Sequence, residues 1–343
     1  MHRVPAMGDT MLSNTMLSSR EVGSRPIERR GTPGTWARRL VIAAALCMGV
    51  PCGVAATIAI APSVVHAQSM SDEEYQTAMT QLRNGSPEER ASAADLLGRR
   101  AYRQREQISP VLREMIRNDT DWRVRASAGR ALGRLGTRDA VPDLVRALRD
   151  PVVDVRVVAA AAIWRLPDPA AVPALIELLG DADGSARQWA ALALGVIRDT
   201  RATPALIRLL GDPEKSVRLD VIRSLGRIRD ASSVQPLEAY VRNDAHDLDE
   251  RVEAVSSLAA LQGPEKVDAL VRLLEHPSRD VRQRVIESLG QVGDALVVPS
   301  LRRRRGSEVG AMRNSIDQAI TEIEERGRGG TAGGGAPLQL PPG

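Results

Sequence analysis

From residue 70 onward, hydrophobic and polar positions recur in blocks of about thirty residues, and each block divides into two helical stretches. The first stretch is typified by residues 172–179, Val-Pro-Ala-Leu-Ile-Glu-Leu-Leu. Its proline suits the first turn of a helix, where a missing N–H has no partner to lose. The second opens on Val-Arg and runs to Leu-Gly, as in Val124-Arg125 to Leu132-Gly133 and again in Val217-Arg218 to Leu225-Gly226. Glycine at that place predicts the end of the helix. Counted from the arginine, apolar residues fall at +3, +4, +7 and +10, a single stripe on a 3.6-residue helix. Position +6 is always small (Ala131, Ala162, Ala193, Ser224, Ser257, Ser288, Ala319), which predicts close helix approach.

The arginine keeps register throughout: Arg90, Arg125, Arg156, Arg187, Arg218, Arg251, Arg282 and Arg313, at spacings of 35, 31, 31, 31, 33, 31 and 31. An aspartate stands six residues earlier at Asp119, Asp150, Asp181 and Asp212. A proline follows seventeen residues later at Pro142, Pro173, Pro204 and Pro299, with Pro236 one place late. On a helical wheel the arginine lies on the core side, close to the loop aspartate. The series Arg125, Arg156, Arg187, Arg218, Arg251, Arg282 and Arg313 is therefore expected to form a structural Asp–Arg ladder rather than a row of ligand contacts.

The pattern D-P, V-R, A-L-G, then A-V-P-x-L resembles HEAT repeats, in particular the short form of phycobilisome-lyase-like proteins. The resemblance spans about residues 71–325. It implies an all-α fold, a right-handed α-solenoid of about eight helix pairs, with the Val-Arg helices on the concave face. Ser71 to Glu74 forms a capping box and opens a polar first helix, and the last helix is polar too, as terminal repeats require.

Composition agrees with closely packed helices. Of 343 residues only 2% are aromatic and none is Phe. The formal charge of +4 lies wholly in residues 1–67, where seven arginines face three acids, and the remainder is formally neutral. A neutral body gives little field for phosphate, so nucleic acid is not an expected partner. Residues 40–61 carry no charge and follow Arg38-Arg39, and small residues precede Gln68. This is the pattern of an export signal cut after Ala67, the alternative being an uncleaved membrane anchor. The expected organisation is a leader over 1–67, a solenoid over 68–325 and a Gly/Pro-rich flexible tail over 326–343. The expected location is periplasmic or secreted, with a membrane-anchored form as the alternative. Both cysteines, Cys47 and Cys52, fall in the leader.

Candidate chemistry is sparse. The resemblance brings in bilin lyases and an iron-dependent hydroxylase whose repeats carry His-Glu metal pairs, but this chain has no His-Glu pair. No catalytic residue, cofactor or metal ligand is therefore assigned. The acids of the loop 243–250 lack the glycine and spacing of a calcium loop. Positions +2, +5 and +9 of each second helix should face outward. In one repeat all three are apolar, Trp189, Leu192 and Val196, with Arg130, Arg134, Arg165, Arg223 and Arg227 on neighbouring repeats. Two readings stand: Trp189 packs over the next repeat, or these residues form a protein-binding patch. Trp164 and Trp122 read as packing residues. Arg302 to Arg305 read as a solvated face, or as a contact for anionic lipid or an acidic partner. The expected function is that of an exported, non-catalytic, monomeric scaffold for protein partners, with a lyase-like role as the alternative.

Overall fold

The structure, a computed structural model, describes residues 70–331, with side chains through residue 328. The described helices all belong to one compact unit. The expected export signal lies outside the described residues. Among the described residues there are sixteen α-helices and no strand, and the helices follow one another as eight pairs. They are α1 (Asp72–Asn84) with α2 (Pro87–Arg100), α3 (Arg105–Asn118) with α4 (Trp122–Leu135), α5 (Val141–Ala147) with α6 (Val153–Arg165), and α7 (Val172–Leu178) with α8 (Gly184–Ile197). Next come α9 (Thr203–Arg208) with α10 (Lys215–Ile228), α11 (Val234–Arg242) with α12 (Leu248–Ala260), α13 (Glu265–Leu273) with α14 (Arg279–Val292), and α15 (Val298–Ser307) with α16 (Ala311–Thr331). The fold is an all-α solenoid.

Each pair is built from local signals. Ser71 and Ser86 both close capping boxes, with Glu74 and Glu89, and so satisfy helix N-terminal N–H groups. Before the short first helices, Asp168, Asp199, Asp230 and Asp294 each accept a hydrogen bond from the amide two residues on, shaping the entry turn. The second helices then stack in unbroken order, α2 on α4 and so on to α16. Their apolar stripe is buried along its length: Ala159, Ala160 and Ile163 in α6, and Val221, Ile222, Leu225 and Ile228 in α10. The small residues at +6 are all buried.

The glycine of Leu-Gly does not end the helix, contrary to expectation. Gly98, Gly133, Gly195, Gly226 and Gly290 lie inside their helices, facing the small +6 residue of the next repeat. A Cβ on Gly133 would stand 2.9 Å from both Cα and Cβ of Ala162, and one on Gly98 would stand 2.7 Å from those of Ala131. These glycines are there for contact. The chain turns three residues later, where Gly136 (φ 73°), Arg198 (φ 61°) and Arg229 (φ 66°) take the left-handed conformation that terminates a helix. Pro142, Pro173, Pro204 and Pro299 occupy the first turns of their helices as expected.

Two further expectations need correction. The last helix continues to Thr331, past the tail boundary drawn at residue 325. Within this extension the Arg326 guanidinium donates to the backbone oxygens of Gly290, Gln291 and Gly293 at the end of α14. Trp122, read as a packing residue, is not buried in the core: it is the first residue of α4 and remains 40% exposed.

Candidate functional site

The recurrent arginines connect one repeat to the next. The Nε and Nη2 of Arg125 donate to the two carboxylate oxygens of Asp150 at 2.7 and 2.9 Å, while Nη1 donates to the carbonyl of Asp119 at 3.0 Å. Arg156 repeats this with Asp181 and the Asp150 carbonyl, and Arg187 with Asp212 and the Asp181 carbonyl. Arg90 holds Asp119 in the same way. Each aspartate thus binds two arginines, one through its side chain and one through its backbone. The sequence placed each arginine beside the aspartate of its own repeat, but the carboxylate goes to the arginine of the repeat before. Bidentate pairs of this kind are short and directional. The Arg156 guanidinium holds the Asp181 carboxyl below the usual carboxylate range, against the effect of burial. Stability from that pair is present above the unfolded carboxylate pKa, near 4, and is lost as the pH falls below it.

The ladder changes at the sixth pair. Arg218 donates to both oxygens of Glu250, which is fully buried and also accepts from the Tyr240 hydroxyl at 3.0 Å. The Tyr240 ring stacks on His246 at 3.7 Å, and burial pushes its hydroxyl up to about 12. Arg282 is bound by Glu308. Arg251 and Arg313 do not bridge repeats, although they belong to the expected series. Arg251 turns back to Asp244 in its own loop and its buried Nε lacks a partner. The place of the acid is taken by His276. Arg313 lies in the last described helix, and its buried Nε is also unpartnered.

Position along the first helices carries a second set of pairs that the sequence reading missed. Asp143 accepts from Arg113 and Arg117, and Glu238 from Arg242 and Arg272. These acids occupy irregular register positions, so no periodic signal exposes them. The acids of the loop 243–250 are engaged as well: Asp247 and Asp249 hold Lys215, and Asp244 holds Arg251. Of the four arginines 302–305, Arg302 pairs with Glu324, Arg304 with Glu275 and Glu308, and Arg305 with Asp317.

The outward positions of the second helices form the remaining candidate. On α8, Trp189, Leu192 and Val196 are half-buried. Trp189 packs against the core and meets Trp164 edge-on, ring centres 6.0 Å apart and planes at 73°. Leu192 and Val196 are not part of that packing. On α6, Val158 and Ala161 continue the apolar strip, also half-buried. Trp164 stands at the position occupied by the contact glycine in five of the other pairs, and its bulk is turned aside against Trp189.

The flanking arginines divide into two groups. Arg130 and Arg134 both hold Asp95, and Arg223 holds Asp220 and Glu253, so these three are neutralised within the molecule. Asp220 further accepts from Gln188 at 2.6 Å. Arg165 and Arg227 are exposed; Arg165 lies over the Trp164 ring at 5.7 Å, and among the described residues no carboxylate pairs with either one.

An array of helix pairs stitched by a recurrent arginine defines a helical-repeat solenoid. The chain belongs to the HEAT-repeat family, whose model matches residues 76–164, 147–213, 172–250 and 247–320. No curated protein matches it significantly. Among solved structures, it is similar to the complex of CpcE and CpcF of phycocyanin lyase from Nostoc sp. PCC7120, with 22% identity, a TM-score of 0.43, and coverage of 76% of this chain and 100% of that one. An engineered protein gives 19% identity and a TM-score of 0.48 over 74% of this chain and 78% of its own. The YibA protein of E. coli gives 22% and 0.46 over 74% and 82%.

Proposed function

We propose that this chain is a non-catalytic scaffold that binds protein partners on the face formed by its second helices, the concave face by its resemblance to HEAT repeats. One observation carries the reading: Leu192 and Val196 stand half-exposed on α8 beside Trp189, in an apolar strip that continues onto Val158 and Ala161 of α6, while the outward positions of the other second helices are mainly polar. A half-exposed indole with aliphatic neighbours is the composition of an interface anchor. The leader pattern of residues 1–67 supports a site of action outside the cytoplasm. Most of the acids and arginines described above are taken up by joints between repeats, which is the use a scaffold makes of them.

The test is site-specific photo-crosslinking in the native host. A photoreactive residue at position 192 or 196 should give discrete adducts, and one at the exposed position 208 on α9 should not. Trp189→Ala with Leu192→Ser should abolish the adducts while far-UV circular dichroism is unchanged. Equal labelling from both faces, or none from position 192, would sink the proposal.

A further inference from the structure

We infer that the occupant of the α8 strip is a chain segment with an apolar residue at its centre and a carboxylate on each side, and that Arg165 and Arg227 receive the two carboxylates. The inference rests on the interaction reading above and gives it a specific ligand chemistry.

Its basis is an asymmetry of charge across the strip. At the N-terminal end of the strip, Gln188, Asp220, Arg223 and Glu253 hydrogen-bond to one another, with two carboxylates for one guanidinium, and so offer no free cation to a carboxylate. At the C-terminal end, the equivalent positions of successive second helices read Arg134, Arg165, Val196 and Arg227. Arg134 is held by Asp95, whereas among the described residues no carboxylate pairs with the exposed Arg165 or Arg227. Arginines near helix C-termini also offset the helix dipole, and that role alone would suit a fourth cation in the row. Val196 stands there instead, half-exposed. Two uncompensated guanidiniums with an apolar gap between them complement an acid–apolar–acid sequence.

Spacing adds a constraint. Neighbouring packed helices lie about 8–10 Å apart, so α6 and α10 are on the order of 16–20 Å apart across α8. An extended segment rises about 3.3 Å per residue and covers that span in roughly five or six residues. The two carboxylates should therefore be about that far apart, with the apolar anchor midway over Leu192 and Val196. Arginine forks favour carboxylates by bidentate pairing, and the Trp164 face beneath Arg165 keeps its guanidinium beside the strip.

Selection of random twelve-residue peptides displayed on phage against the full chain tests this. The expected consensus has acids flanking an apolar centre at that spacing. Amide replacement of both acids in the selected peptide should weaken binding about a hundred-fold, taking about ten-fold for each lost pair. Against Arg165→Gln with Arg227→Gln, selection should return an apolar consensus without acids. Against Trp189→Ala with Leu192→Ser, enrichment should vanish. A wild-type consensus lacking acids, or acids retained against the double arginine variant, overturns this inference and leaves the scaffold reading intact. No enrichment, or enrichment unchanged on the Trp189/Leu192 variant, overturns both.

Discussion

His276 occupies the place in the seventh pair that Asp119, Asp150, Asp181 and Asp212 hold in earlier ones. Its Nδ1 accepts from the Ser278 amide at 3.1 Å, so Nε2 carries the proton and donates to the Val241 carbonyl at 3.2 Å. The ring is buried and neutral. Burial holds its pKa below the ordinary imidazole value, and Arg251 pushes the same way. Burial also lowers His246. With the folded pKa lowered, the unfolded chain takes up the proton first as the pH falls. Stability is therefore full above about pH 6.5 and declines as pH drops toward the folded pKa, by up to about 1.4 kcal/mol per pH unit for each histidine. His276→Asp should give Arg251 a carboxylate, raise the urea midpoint at neutral pH and reduce the slope between about pH 5 and 6.5. An unchanged slope, measured as urea midpoint against pH, would show that this ring does not carry it.

At the scale of the helix, two glycines three residues apart perform different work. Gly133 lies inside α4 against Ala162, while Gly136 ends the helix at positive φ with nothing within 4 Å of an added Cβ. Gly133→Ala should cost about 1–3 kcal/mol, because backbone and Cβ of Ala162 must move. Gly136→Asn should stay within about 0.5 kcal/mol, since asparagine tolerates the left-handed region. Thermal and urea unfolding of the two variants checks the contrast; the reverse order would restore the terminating role to Gly133. The sequence showed this glycine clearly but not its role. A conserved spacing marks a position as constrained, and only the neighbouring helix shows whether the constraint is conformation or contact. The same holds for Trp122, whose position in the repeat implied burial, whereas at the helix start it remains exposed.

For the array as a whole, each repeat touches mainly its neighbours, so stability is a sum of local units and junctions. Five junctions carry an Arg–carboxylate fork, those of Arg90, Arg125, Arg156, Arg187 and Arg218, but between the sixth and seventh pairs Arg251 faces His276. That joint should open first. Native-state hydrogen exchange is expected to show lower protection in α12 and α13 than in α6 to α10, and uniform protection would exclude a weak joint there.

The sequence alone determined the number of repeats, the two-helix unit, the buried stripe and the family, because all of these are periodic and local: a helix face and a registered arginine are legible without knowing what lies opposite. It also picked out Trp189, Leu192 and Val196 as the apolar exception among outward positions. Tertiary structure decided which carboxylate each arginine holds, that Arg251 and Arg313 make no bridge, and that Arg130, Arg134 and Arg223 are neutralised while Arg165 and Arg227 are not. Those outcomes depend on residues some twenty-five to forty positions apart, brought together only when one repeat stacks on the next.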